Sequence, residues 1–91
     1  MTTVTPDDVH AFLQTYVAKT LREQAREVPA DLPDDCDLLL NGYVDSLGLL
    51  ELMTALQDHF GREIDFGELD AEQMTIVGPL KKFVAGQLAK T

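Results

Sequence analysis

Residues 42–47 read GYVDSL and encode a turn that leads into a helix. Gly42 permits a backbone turn that other residues resist. Asp45 is a favourable helix cap, and from Leu47 onward apolar residues recur at helical spacing. The sequence therefore predicts that the hydroxyl of Ser46 is exposed at the N-terminal end of a helix, which is a favourable position for a phosphate group.

Apolar residues at three- and four-residue steps predict four helices, one of them short. We expect these helices to run from Thr5 towards Val28, over Ser46–Phe60, over Glu68–Met74, and from Thr75 through Leu88. Pro29 stops the first helix and Gly61 caps the second. Pro79 removes an early hydrogen bond of the last helix, so that helix is expected to begin late, near Gly78. With no strand alternation visible, the sequence predicts an all-α domain with a long loop between its first two helices.

The long loop covers residues 29–45, a length that is often functional in small domains. Leu38, Leu39 and Leu40 are expected to pin it onto the core. Cys36, the only cysteine of the chain, permits no internal disulfide and no thiolate metal cluster. Neighbouring carboxylates are expected to raise its pKa, so we interpret Cys36 as an incidental loop thiol and not as a nucleophile.

The chain has 91 residues and is strongly acidic, with 16 acidic side chains, 7 basic ones and a formal net charge of -9. Its length predicts one domain over residues 1–91. The charge repels nucleic acid and anionic lipid and attracts proteins with basic docking patches. No apolar run approaches the roughly 20 residues of a membrane helix, and residues 1–8 lack the regions of a signal peptide. We therefore expect a cytoplasmic monomer without a nucleic-acid partner or membrane insertion.

A serine hydrolase is the catalytic alternative that Ser46 raises. Such an enzyme needs a base within hydrogen-bond reach of the serine hydroxyl. His59 lies further along the same helix, about 20 Å away at roughly 1.5 Å per residue. His10 lies on the polar side of the first helix, and the glycines that flank a hydrolase serine are absent. We therefore expect no catalytic residues.

A calcium loop is the metal-binding alternative, because acidic helical domains often carry one. Aligning Gly42 with the glycine of such a loop places Asp37 first, Leu39 third and Gly48 twelfth. The third and twelfth positions require oxygen ligands, the twelfth from a glutamate. Neither position supplies one, so the sequence predicts no metal site.

The residues Gly42 and Asp45-Ser46-Leu47 resemble the hallmark of the acyl and peptidyl carrier proteins, and the similarity covers nearly the whole chain. It implies a four-helix bundle with a long loop between helices 1 and 2 and a short third helix. It also implies that a phosphopantetheinyl transferase moves 4'-phosphopantetheine from coenzyme A onto Ser46, while Asp45 orients the transferase or its magnesium. The arm ends in a thiol that holds cargo as a thioester, and the carrier itself catalyses nothing.

Partner enzymes are expected to recognise the start of the second helix. The candidate residues are Leu47, Leu50, Glu51 and Met53. For Leu50 and Met53 the alternative is ordinary packing in the core. The expected partners are an adenylating ligase or acyltransferase and downstream enzymes with basic docking patches.

The class of carrier is predicted from the positions at which this chain differs from the usual sequence pattern of each class. Fatty acid carriers usually have an acidic residue where this chain has Gly48, and more acid where it has Gln57 and His59. The pattern is more similar to stand-alone carriers loaded by adenylating ligases, such as the D-alanyl carrier family. The residues that carry this similarity are Gly42, Asp45-Ser46, Gly48, Leu56-Gln57, Phe60-Gly61, Glu68-Leu69-Asp70 and Thr75. Leu47 replaces the usual methionine of that family, and Pro79 has no counterpart in it. A specialised acyl or aminoacyl carrier is therefore predicted. The alternatives are a carrier of fatty acid or polyketide synthesis and an unmodified helical protein-interaction module.

Overall fold

A computed structural model describes residues 4–89, so residues 1–3 and 90–91 of the predicted domain lie outside the described range. Within it the chain is all-helical, with three α-helices and one turn of 3-10 helix. The helices are α1 (Pro6–Glu23), α2 (Ser46–Phe60) and α3 (Val77–Ala89), and the 3-10 turn is Phe66–Glu68. An isolated antiparallel bridge joins Asp37 to Ile76. None of the described helices is long and apolar enough to cross a membrane.

Helix α1 begins where the sequence predicts. The hydroxyl of Thr5 accepts a hydrogen bond from the Asp8 N–H at 3.2 Å, and the Thr5 N–H donates to Asp8 Oδ2 at 2.9 Å. This reciprocal capping box satisfies two backbone donors, and Pro6 occupies the first helical position, where its missing N–H costs no hydrogen bond.

The predicted continuation of α1 towards Val28 is wrong, because the helix ends at Glu23. Ala25 takes a left-handed conformation with φ of 56°. The Arg26 N–H then bonds to the Leu21 carbonyl at 2.8 Å, which closes a Schellman motif. Glycine usually occupies this left-handed position, so an alanine there gives the sequence no stop signal before Pro29.

Helix α2 has the predicted bounds, Ser46–Phe60. Asp45 caps its N-terminus, and Gly61 ends it in the left-handed conformation with φ of 70°. Both caps act through neighbouring backbone groups, so local sequence is sufficient to place them.

The predicted short helix over Glu68–Met74 does not form as an α-helix, so the four-helix count is not confirmed. The 3-10 turn ends at Glu68, where this helix was expected to begin, and a separate turn covers residues 71–75. The side chains of Asp65 and Asp70 each accept the backbone N–H two residues further on, at 3.0 and 3.1 Å. These local bonds compete with a continuous helix.

Helix α3 begins at Val77, close to the predicted late start. Its first N–H groups are capped by the long loop: Val77 donates to the Cys36 carbonyl at 2.9 Å and Gly78 to the Asp34 carbonyl at 2.7 Å. Pro79 falls in the first turn, where a helical N–H has no intrahelical acceptor, so it costs no hydrogen bond. The loop is thereby fixed to the N-terminus of α3.

The core is a single cluster to which all three helices and the long loop contribute. Its fully buried members are Val9, Leu13, Val17, Leu21, Leu32, Leu38, Leu52, Leu56, Val77, Leu80 and Val84. Of the three loop leucines expected to anchor the loop, only Leu38 does so fully. Leu39 is 38% exposed and Leu40 is 85% exposed. Cys36, expected to be an incidental loop thiol, is a buried member of this core.

Candidate functional site

Ser46 is the first residue of α2 and is exposed. The preceding residue, Asp45, has an extended backbone, and its Oδ1 accepts a hydrogen bond from the Gly48 N–H at 2.6 Å. The Asp45 carbonyl accepts the first intrahelical bond, from the Leu49 N–H, at 2.8 Å. The cap therefore fixes the helix start around the serine, as the sequence predicts.

Gly48 gives the Asp45 carboxylate room to make this bond. A Cβ atom at position 48 would lie 3.1 Å from Asp45 Oδ1 and 3.4 Å from the Cβ of Val44. Such contacts are tighter than ordinary van der Waals distances, so a side chain would push the carboxylate or Val44 aside. The glycine at position 48 therefore has a local structural reason.

The turn before Ser46 is held by backbone and carboxylate hydrogen bonds. Gly42 has φ of 73°, the left-handed conformation that favours glycine, and the Tyr43 N–H bonds to the Leu38 carbonyl at 2.9 Å. The Asp37 carboxylate accepts from the Leu40 N–H at 3.0 Å. That bond is the main cause of a lowered pKa of Asp37. Since Leu38 is fully buried, the turn is anchored in the core at one end and by Asp45 at the other.

An arginine from the end of α1 reaches this turn. Arg26 Nη1 donates to the Gly42 carbonyl at 2.6 Å and to Gln24 Oε1 at 3.3 Å. Arg26 and Ser46 line one open surface depression of about 390 Å³. Sequence reasoning did not find Arg26, because it is distant in sequence and no local motif marks it.

A second cleft separates the end of α1 from the start of α2. It has a volume of about 420 Å³ and is lined by Tyr16, Lys19 and Glu51 among others. Burial, with the nearby Glu51 and Glu23 carboxylates, raises the pKa of Tyr16. The tyrosine therefore stays neutral and provides the cleft with a hydrogen-bonding hydroxyl.

The predicted recognition residues divide by exposure. Leu47 is 64% and Leu50 is 61% exposed, and Glu51 is exposed, whereas Met53 is half-buried. Positions 47, 50 and 51 follow helical spacing and share one face of α2 beside Ser46. Leu40, which was expected to pack onto the core, is 85% exposed and lies near the same turn.

Neither of the two histidines nor the cysteine lines the depression that Ser46 borders. The His59 ring packs against the Phe12 ring in a tilted orientation, with 4.7 Å between ring centroids, towards the C-terminal end of α2. His10 Nε2 bonds to Asp31 Oδ1 at 2.8 Å. Burial raises the pKa of the Cys36 thiol, and the neighbouring carboxylates add to this; burial is the larger cause, which the sequence analysis did not anticipate. Among residues 4–89, no group of three or more potential ligands is placed to hold a metal ion.

Comparison with known families assigns the chain to a class. Residues 11–78, about three quarters of the chain, match the family model described as "Phosphopantetheine attachment site". The chain therefore belongs to the phosphopantetheine attachment family. No curated protein and no solved structure matches it.

Membership of the phosphopantetheine attachment family defines the class of protein. Domains of this family are not catalytic, and they carry acyl groups for separate enzymes, so the chain is a carrier protein. Its expected covalent cofactor is 4'-phosphopantetheine, and a phosphopantetheinyl transferase is among the partners the class implies. The predicted resemblance to carrier proteins is thus confirmed at the level of the family. The exposed hydroxyl of Ser46 and the open depression beside it fit such an arm.

Proposed function

We propose that Ser46 carries the 4'-phosphopantetheine arm and that the chain is a stand-alone carrier of acyl or aminoacyl groups in a specialised biosynthetic pathway. The observation that carries the proposal is an exposed serine at the first position of α2, inside the segment that matches the family. Ser46 is also the only serine in the sequence. Its cap and the anchored turn hold it at the surface, where a separate enzyme can reach it.

The attachment reaction needs no catalytic group from the chain. The Ser46 hydroxyl oxygen attacks the phosphorus atom of the coenzyme A pyrophosphate that is to be transferred. A phosphodiester forms, and the bond between that phosphorus atom and the bridging oxygen of the pyrophosphate breaks. Adenosine bisphosphate leaves, and the transferase takes the serine proton. When bound, the arm supplies a terminal thiol for thioester formation.

Asp45 has two roles in the proposal. Its Oδ1 caps α2 through the Gly48 N–H. Because the residue is exposed, its negative charge is also available to orient the transferase or its magnesium. The two roles are separable, because asparagine also caps helices but carries no charge.

Leu47, Leu50, Glu51 and Met53 form the proposed recognition surface. A groove along the exposed side of α2 is lined by Leu50, Glu51 and Asp58, which places carboxylates beside an apolar residue. A partner with a basic rim and a small apolar pocket complements this arrangement. Met53, which is half-buried, contributes at the edge of the surface.

The specialised pathway is supported by the resemblance to stand-alone aminoacyl carriers such as the D-alanyl carrier family. Gly42, Asp45-Ser46 and Gly48 carry that similarity. In such a pathway an adenylating ligase activates an amino or carboxylic acid and transfers it to the thiol of the arm. The alternative is a carrier of fatty acid or polyketide synthesis, which would be loaded by a malonyl transferase and not by an adenylating ligase.

Attachment at Ser46 is tested by incubating the chain with coenzyme A, magnesium and a broad-specificity phosphopantetheinyl transferase, followed by intact-mass measurement. The expected result is one phosphopantetheine gain in the wild type and none in Ser46→Ala. Thr54→Ala is the matched control, because it removes another hydroxyl from α2 and should be loaded normally. A gain that persists in Ser46→Ala, or no gain in the wild type, contradicts the proposal.

The carrier class is tested with the loaded protein. We expect an adenylating ligase supplied with ATP and candidate amino or carboxylic acids to form a thioester, detected as a further mass gain that hydroxylamine removes. A malonyl transferase with malonyl coenzyme A should give no such gain. Loading by the malonyl transferase alone would replace the specialised pathway with fatty acid or polyketide synthesis.

A further inference from the structure

We propose that Arg26 binds the phosphate diester of the arm and holds it in the depression beside Ser46. The inference rests on the proposed function, because it requires the arm to be attached at Ser46. It adds a residue from a distant part of the chain to the cofactor site. It also gives the arm a preferred direction, towards the end of α1.

The position of Arg26 is fixed by the end of α1. The left-handed Ala25 turns the chain, and the Arg26 N–H bonds back to the Leu21 carbonyl at 2.8 Å. The side chain then crosses to the turn before α2, where Nη1 donates to the Gly42 carbonyl at 2.6 Å. The guanidinium is therefore held in place before any ligand binds, and less side-chain freedom is lost on binding.

The guanidinium and the attachment serine share one surface depression. Its volume is about 390 Å³, and its lining includes Arg26, Gly42, Asp45 and Ser46. The depression is open to solvent and large enough for a phosphate group at one end of an extended arm. A phosphate on the Ser46 oxygen would therefore enter a space that Arg26 borders.

Arg26 retains donors for such a ligand. Its side-chain hydrogen bonds go from Nη1 to two neutral acceptors, Gly42 O and Gln24 Oε1. Within residues 4–89 it forms no ion pair with a carboxylate, although the chain carries 16 acidic residues. An arginine has five N–H donors, so those on Nε and Nη2 remain for an incoming anion.

The chemistry of the diester suits this residue. The phosphodiester keeps one negative charge at neutral pH and presents two oxygens, which a guanidinium can bind with paired, charge-assisted hydrogen bonds. The adjacent Asp45 carboxylate repels that charge, in a protein whose net charge is already -9. Arg26 offsets this repulsion at the point where the arm is attached.

The test compares the apo and loaded forms by NMR and thermal unfolding. In the wild type, loading should shift the Nε–H resonance of Arg26. In Arg26→Gln, the ³¹P resonance of the arm should move relative to the wild type. The contact of Arg26 with the phosphate should raise the melting temperature of the wild type on loading. In Arg26→Gln this gain should be smaller by about 4 °C, the scale of one exposed charge pair in a domain of this size. Arg22→Gln removes one positive charge from the last turn of α1. It should leave the ³¹P resonance and the gain in melting temperature as they are in the wild type.

The possible failures are distinguishable. If the wild type gains no arm at Ser46, the proposed function is wrong and not only the role of Arg26. If the arm is attached but the Arg26 Nε–H resonance stays in place, the inference is overturned. It is also overturned if Arg22→Gln changes the ³¹P resonance as much as Arg26→Gln does. The wild-type comparison requires no substitution, so it holds even if a variant folds poorly.

Discussion

Gly42 contributes to the site through its backbone, which has φ of 73°. A left-handed conformation costs a residue with a side chain about 1–2 kcal/mol. A Cβ atom at this position would meet only Arg26 Nη2, at 3.8 Å, so the cost is conformational and not steric. Gly42→Ala should therefore lower the free energy of unfolding by about 1 kcal/mol, measured by urea denaturation.

Gly86→Ala is the matched control for this prediction. Gly86 lies in α3, and a Cβ atom there would meet nothing within 4 Å. Alanine favours the helix, so the same substitution should raise the free energy of unfolding, by up to about 1 kcal/mol. Equal effects of the two substitutions would show that the turn does not need its glycine.

The two proposed roles of Asp45 can be separated by substitution. Asp45→Ala should lower the free energy of unfolding by about 1 kcal/mol because the cap on α2 is lost. Asp45→Asn keeps the cap, so its stability should be close to that of the wild type. Its loading by the transferase should slow by roughly tenfold if the charge orients the transferase or its magnesium. Wild-type loading of Asp45→Asn would leave Asp45 with the capping role alone.

Among the structural elements, the long loop is held between α1 and α3 by a chain of hydrogen-bonded side chains. Lys81 Nζ bonds to Asp34 Oδ1 at 2.5 Å and lies 3.4 Å from Nδ1 of His10, which in turn bonds to Asp31. The hydrogen bond and charge of Lys81 lower the pKa of Asp34. The loop that carries the site turn is therefore linked to both helices.

The lowered pKa of Asp34 predicts how the stability of the fold changes with pH. In the unfolded chain a carboxyl has a pKa of about 3.9. The Asp34–Lys81 pair therefore makes its full contribution to the free energy of unfolding above that pH. The contribution is lost as the pH falls through the lowered pKa of Asp34 in the folded chain. Lys81→Met should raise the pKa of Asp34 towards its ordinary value, measured by NMR titration of the carboxyl carbon. Lys19→Met is the control, and an equal shift there would contradict the assignment to Lys81.

Local signals predicted some elements and missed others for identifiable reasons. The bounds of α2 follow from Asp45 and Gly61, whose effects are confined to the adjacent turn. The end of α1 depends on Ala25 in a conformation usually taken by glycine. The start of α3 depends on carbonyls of the distant residues Asp34 and Cys36, which no periodicity reveals.

The same distinction applies to the candidate site. Gly42, Asp45 and Ser46 are neighbours in sequence, so their arrangement could be predicted from the motif. Arg26 reaches the site through the tertiary fold, and Leu40 is exposed because the turn buries Leu38 instead. The sequence pattern therefore predicts the proposed attachment point but not the groups that surround it.

At the scale of the whole molecule, a net charge of -9 should speed encounters with basic partner enzymes. Glu51→Gln should reduce the association rate of the transferase about two- to threefold at low salt, and the difference should shrink as salt screens the charge. Stopped-flow measurements at several ionic strengths would show this. Glu63→Gln, beyond the opposite end of α2, should have a smaller effect; an equal effect would mean that net charge alone, and not the proposed surface, guides docking.

The proposed functions of Asp45, Arg26 and the surface of α2 all depend on attachment of the arm to Ser46. The most direct measurement is fragmentation mass spectrometry of the peptide that contains residue 46, taken from the protein after loading with coenzyme A and the transferase. We expect a phosphopantetheine group on Ser46 in that peptide. An unmodified Ser46, with the added mass absent or on another residue, would contradict it.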